Sequence, residues 1–98
     1  MPTRAVLWEK FKKEYADGTF VELVIWLVPI SKHHPHGLKY RLHFGDTAGN
    51  FFLRYDNKKG KGDHRHIGIR EEPYMFITAE KLLKDFWNDV AIYREMRK

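Results

Sequence analysis

The sequence predicts an α+β fold: a four-stranded antiparallel sheet of two hairpins, with one long C-terminal helix packed on one face. Three observations carry this reading. Asp17-Gly18 separates two strand-like runs, and Asp-Gly is among the strongest short hairpin signals. Tyr40, Leu42 and Phe44 alternate with polar neighbours, as one buried face of a strand requires. After Thr78, the residues Leu82, Leu83, Phe86, Trp87, Val90 and Tyr93 recur at helical spacing.

Residues 4–16 read as an edge strand, because Lys10, Lys12, Lys13 and Glu14 discourage further pairing. A two-residue turn at Asp17-Gly18 sets Tyr15 across from Phe20, Lys13 from Glu22, Phe11 from Val24 and Leu7 from Val28. The second strand, Phe20 to Val28, is apolar on both sides, which suits an interior strand covered on both faces. Since only one helix is present to cover it, part of the second face is expected to meet a partner. Pro29 ends this strand. The run His33-His34-Pro35-His36 follows, and it reads as an exposed polar turn in preference to a metal site, with no acidic residue near it in sequence.

The third strand, Lys39 to Gly45, and the fourth, Asn50 to Tyr55, are joined by Asp46-Thr47-Ala48-Gly49. A four-residue loop stacks Tyr40 with Tyr55, Leu42 with Leu53 and Phe44 with Phe51. On the other face it sets His43 beside Phe52 and Arg41 across from Arg54. Two opposed like charges repel by some tenths of a kcal/mol unless an anion lies between them, and phosphate fits a pair of guanidinium forks. The alternatives are that the arginines splay into water, or that a slip of two residues separates them. Near the C-terminus, Thr78 is a good N-cap, Glu80 suits the first helical turn, and Arg94, Arg97 and Lys98 suit the last.

Residues 54–74 read as the end of a strand and then a long charged loop. Arg54, Lys58, Lys59, Lys61 and Arg65 outnumber Asp56 and Asp63 there, beside His64 and His66. Loops on a rigid scaffold carry function disproportionately. Cleaving RNA without a metal needs a base for the 2′-hydroxyl, an acid for the leaving 5′-oxygen and cations for the phosphorane. His64 and His66 lie two apart and share a face if extended, with Arg65 opposite. His43 supplies a third imidazole, and Asp63 or Asp56 can orient a ring. The candidate catalytic set is therefore His64, His66, Asp63 and His43. The candidate substrate-binding set is Arg41, Arg54, Asp56, Lys58, Lys59, Lys61 and Arg65. Two alternatives stand beside this: a hydrogen-bonded brace built from the histidines and Asp63, and a divalent ion on Asp63, His64 and His66 with Asp56 as a fourth ligand. The surrounding cations weigh against the ion, so neither a metal nor a cofactor is expected.

The stretches Arg54-Tyr55-Asp56-Asn57, Gly60-Lys61-Gly62-Asp63-His64-Arg65-His66 and Glu71-Glu72-Pro73-Tyr74 resemble the signature of the TumE-like family. Asp17-Gly18, Trp26 to Pro29, Tyr40-Arg41 and Leu82 to Trp87 extend the likeness over nearly the whole chain. The resemblance implies a small toxin of a type II toxin–antitoxin pair that arrests growth by acting on RNA. It also implies a cognate antitoxin, expected to be a helix-turn-helix DNA-binding protein. The main expectation is a metal-independent ribonuclease, and the alternative is a growth inhibitor that binds RNA or ribosomes without cutting.

Composition fits these expectations. The 98 residues suit a single domain, with 43% hydrophobic and 15% aromatic content sufficient for one modest core. A formal charge of +5 favours a polyanionic partner. Without cysteine there are neither disulfides nor thiolate metal sites, which is compatible with a reducing cytoplasm. No apolar run approaches the ~18 residues of a membrane span, and no secretory leader is apparent, so a cytoplasmic protein is expected. A homodimer is left open.

Overall fold

The structure is a computed structural model that describes residues 4–58 and 62–96. Among the described residues the chain forms six strands and one helix: β1 (Val6–Glu14), β2 (Thr19–Leu27), β3 (Leu38–Asp46), β4 (Phe51–Asp56), β5 (His64–Ile67), β6 (Arg70–Pro73) and α1 (Ala79–Met96). The strands make one antiparallel meander in chain order. The α+β class and the C-terminal helix are as expected, but the sheet has six strands rather than four. The two extra strands are a hairpin inside the charged segment expected to be a loop, turning at Gly68-Ile69 with Arg65 opposite Glu72 and His66 opposite Glu71. The Arg65–Glu72 ion pair across the strands supports it.

Both earlier hairpins use three-residue loops, each closed by a glycine at positive φ: Gly18 at 86° and Gly49 at 92°. Asp17 is not at positive φ, so the two-residue turn that needs both central residues there does not form. Instead Gly18 N–H donates to Tyr15 O at 3.1 Å and Tyr15 N–H to Thr19 O at 2.8 Å. Asp17 Oδ1 accepts from the Thr19 amide at 3.0 Å and from its hydroxyl at 2.6 Å. This shifts the expected register by one: Glu14 faces Phe20, Lys12 faces Glu22 and Phe11 faces Leu23. A one-residue shift moves the side chains of residues 9–14 to the other face, and a bulge between Leu7 and Glu9 shifts the register once more. Phe11 thereby reaches the helix side, with its ring edge-on to Trp87 at 5.9 Å.

The pairing of β3 with β4 differs from expectation by two residues. Leu42 faces Tyr55, His43 faces Arg54, Arg41 faces Asp56 and Phe44 faces Leu53. The faces are kept, but Arg41 and Arg54 are not opposed. The three-residue loop accounts for one residue of the difference and a bulge between Phe44 and Gly45 for the other, and Phe52 stacks on Tyr93 of the helix at 4.6 Å. A Cβ on Gly45 would stand 2.4 Å from Asn50 O, so the bulge requires glycine there.

Leu82, Phe86 and Val90 of α1 are buried on Val21, Leu23, Ile25, Tyr40, Leu42, Phe44, Leu53 and Tyr55. Thr78 caps the helix, its hydroxyl accepting from the Lys81 amide at 3.1 Å. Trp87 packs against this core. Arg94 stacks on Tyr15 at 3.7 Å and bonds Asp17 and Thr19, tying the helix end to the first turn. No element among the described residues covers the opposite face of the sheet, where Trp26 remains exposed. Among the described residues no helix is long and apolar enough to cross a membrane.

Phe86 fills the centre of the only helix–sheet interface among the described residues. Phe86→Ala should lower the unfolding free energy by about 3–5 kcal/mol in urea titrations, and a loss below 1 kcal/mol would contradict this packing.

Candidate functional site

Strand parity assembles the site. With β4 and β5 antiparallel, Asp56 faces His64 and Arg54 faces His66, and these four side chains rise together from the uncovered face. Asp56 Oδ1 lies 2.7 Å from His64 Nε2, and Asp56 Oδ2 lies 3.1 Å from Arg54 Nε. Arg54 Nη2 donates to His66 Nε2 at 3.2 Å. The His64 and His66 ring centroids are 5.2 Å apart. His64 Nδ1 meets the Gly62 carbonyl at 3.1 Å, so both of its ring nitrogens face acceptors. His66 Nε2 also lies 3.5 Å from Glu71.

Burial and then the neighbouring Arg54 lower the His66 pKa below its ordinary value. This matches the hydrogen bond, since Nε2 accepts from a guanidinium only when it carries no proton. His64 is almost enclosed at 5% exposure, whereas the side chain of His66 is 24% exposed. His66 is therefore the imidazole that a ligand reaches first.

Beside these groups lies a basin of about 330 Å³ lined by Lys39, Arg41, Arg54, Asp56, Asn57 and Lys58. Of the residues expected from sequence, Arg54, Asp56, His64 and His66 converge, and Arg41 and Lys58 line the adjoining basin. His43 shares the face, but its ring sits edge-on between Phe20 and Phe51, 5.4 Å from each. Burial lowers its pKa despite Glu22 at 3.7 Å. Lys59 and Lys61 lie outside the described residues.

Two expected members point elsewhere. Asp63 does not orient His64 or His66: it accepts from the Tyr40 hydroxyl at 2.7 Å and meets His36 at 3.1 Å. The acidic partner that the His-rich turn lacks in sequence is thus supplied by the fold, and His36 stacks on Phe76 at 3.8 Å. Arg65, one residue out of phase with the histidines, faces the helix. It bonds Glu72 at 2.5 Å, the Tyr55 hydroxyl at 3.2 Å and Asp89 at 3.4 Å, while Tyr55 also donates to Asp89. This network raises the Arg65 pKa, the Tyr55 hydroxyl first among its causes.

Lys39, Asn57 and Glu71 were not anticipated. Asn57 is buried, accepting from the Tyr40 amide at 2.9 Å and donating to the Leu38 carbonyl at 2.6 Å, so it extends the β3–β4 ladder with a side chain. The complementary run His64-Arg65-His66-Ile67 against Arg70-Glu71-Glu72-Pro73 was the sequence signal for the hairpin that brings Glu71 to the site.

Two measurements check this geometry. Nitrogen-15 imidazole spectra at pH 7.5 should show His66 with Nε2 unprotonated, a preference that Arg54→Ala weakens; a protonated Nε2 would rule out the Arg54 contact. Arg65→Ala should lower stability by about 1–3 kcal/mol, the range for hydrogen bonds to charged groups, and an unchanged urea midpoint would mean that the helix-side network contributes nothing.

A family model described as "Toxin TumE" matches residues 4–94. No match was found among curated proteins or among solved structures. The match spans every element from β1 through most of α1, including all four convergent side chains, and the chain therefore belongs to the TumE toxin family.

Proposed function

We propose that this protein is the toxin of a type II toxin–antitoxin pair and that it cuts RNA by metal-independent acid–base catalysis. The observation that carries the reading is the convergence of Arg54, His64 and His66 around Asp56, on an uncovered face beside a basin lined by Lys39, Arg41 and Lys58. As Arg54 turns from His66 to the phosphate, the freed Nε2 of neutral His66 takes the proton of the 2′-hydroxyl. The freed oxygen attacks phosphorus, and Arg54 meets the charge that develops on the phosphorane. The His64 imidazolium, paired with Asp56, protonates the departing 5′-oxygen, leaving a 2′,3′-cyclic phosphate and a 5′-hydroxyl. Arg41, Lys39 and Lys58 hold flanking phosphates as point charges and forks. His43 backs Arg54 across the strand pair, and Asp63 steadies the entry to β5 through Tyr40; both are positioning residues.

The enclosure of His64 supports a second reading, in which the cluster only braces the sheet and the basin binds RNA or a ribosome without cutting. Histidine substitution separates the two, because it stops cleavage while leaving binding within a few fold. In either case, expression alone should arrest growth and a neighbouring antitoxin, of the helix-turn-helix kind, should relieve the arrest.

Purified protein incubated with total RNA in EDTA should cut it, and His66→Ala should slow cutting at least tenfold, the low end of about 10²–10⁴ for general acid–base catalysis allowing for partial rescue by solvent. Because the working form of His66 is neutral and its pKa is depressed, the rise of rate with pH should lie below pH 6.5, its ordinary value. Undiminished cleavage by His66→Ala, or a rise lying above that pH, would remove His66 as the base.

A further inference from the structure

The same face carries an arrangement that proton transfer alone does not explain. Asp56 Oδ1 is buried and, although 2.7 Å from His64 Nε2, receives no aligned hydrogen bond. A buried carboxylate oxygen in that position is an unsatisfied acceptor. A metal-bound histidine must free one ring nitrogen of its proton, and the Gly62 carbonyl at His64 Nδ1 lets that ring keep its proton there while Nε2 serves as the ligand. The lone pair of His66 Nε2 is taken by Arg54 in this structure, and the nitrogen lies within reach of the same group. Asp56, His64 and His66 thus offer three ligand atoms within 4.8 Å of one another. Once Arg54 leaves His66 and His64 carries its proton on Nδ1, all three atoms are free to coordinate one cation.

We propose that Asp56, His64 and His66 form a binding site for a divalent transition-metal ion of the zinc type. Two imidazoles and one carboxylate are borderline ligands that suit zinc, cobalt or nickel rather than calcium or magnesium. Ligand atoms about 2.0–2.2 Å from such an ion stand roughly 3 Å apart, so the group needs only a small adjustment. The Gly62 carbonyl is the kind of outer partner that fixes the ring orientation of a ligating histidine. Arg54 is the competitor. Its side chain is 40% exposed, so it can leave His66 for solvent while an ion takes its place. An ion seated there engages both imidazoles and blocks their acid–base work; this regulatory clause rests on the ribonuclease reading, whereas the binding does not.

Calorimetric titration of the full chain with zinc chloride, and the visible spectrum of its cobalt complex, test the proposal. One ion should bind per chain. His66→Ala and Asp56→Asn should each weaken binding at least about tenfold, since even outer-shell changes alter metal affinity by 10–100-fold. Arg54→Ala should bind at least as tightly as the parent protein, and a His33→Ala/His34→Ala variant should bind unchanged. Circular dichroism of each variant verifies folding. Absence of saturable binding, or binding that survives His66→Ala and disappears with the His33/His34 changes, overturns the site. Cleavage in EDTA by a protein that binds no zinc defeats this inference alone. Cleavage that requires zinc defeats the metal-independent mechanism and supports the site.

Discussion

Burial of the Leu82, Phe86 and Val90 stripe on one face of the sheet is the constraint on which everything else depends. A strand has a two-residue period, so choosing which face meets the helix fixes the direction of every side chain along it. Once Leu53 and Tyr55 are inside, Arg54 and Asp56 are outside. With β5 paired to β4, the same choice places His64 and His66 outside and Arg65 inside. The convergence of charged groups on the uncovered face is therefore the other side of core formation, with no separate device needed to gather them.

The two faces handle charge differently. On the helix side Arg65 is enclosed by Glu72, Tyr55 and Asp89, each contact strengthened by limited access to water. Tyr40, Asp63, His36 and Phe76 make a second closed set at the other end. These groups hold elements together. On the uncovered face Asp56 is shared between Arg54 and His64, and His66 is shared between Arg54 and Glu71. The cluster therefore holds its charged groups in shared contacts, where the helix side holds Arg65 in a set of its own.

Turn chemistry tunes the outcome as strongly as hydrophobic pattern does. Asp17 could have entered a two-residue turn, but its carboxylate instead bonds Thr19, and Arg94 at the end of the helix reinforces that choice. The resulting register gives Phe11 a seat on Trp87. The bulge at Gly45 allows Phe52 to reach Tyr93 while His43 stays on the outer face beside Arg54. A single glycine contact and a single aspartate cap thus decide which aromatic rings meet the helix.

Much of this was legible in the sequence. Alternation in Tyr40-Arg41-Leu42-His43-Phe44 and the helical stripe after Thr78 are local periodicities, and they specified the α+β class, the core face and the packing of the helix. The motif around Asp63-His64-Arg65-His66 marked both the family and the segment that holds the site. What the sequence left undecided were the quantities that depend on long-range pairing. The hairpin of β5 and β6 is too short and too charged to show a hydrophobic period, so its residues read as a loop. The register of β3 with β4, which sets Arg41 against Asp56 instead of Arg54, follows from a bulge that no local pattern reveals. Asp63 and Asp56 look equally suited to serve the histidines, because spacing along the chain does not tell which carboxylate shares their face. Tertiary structure decided that question through strand parity: Asp56 is directly across from His64, while Asp63 is one position out of phase with it and turns to Tyr40.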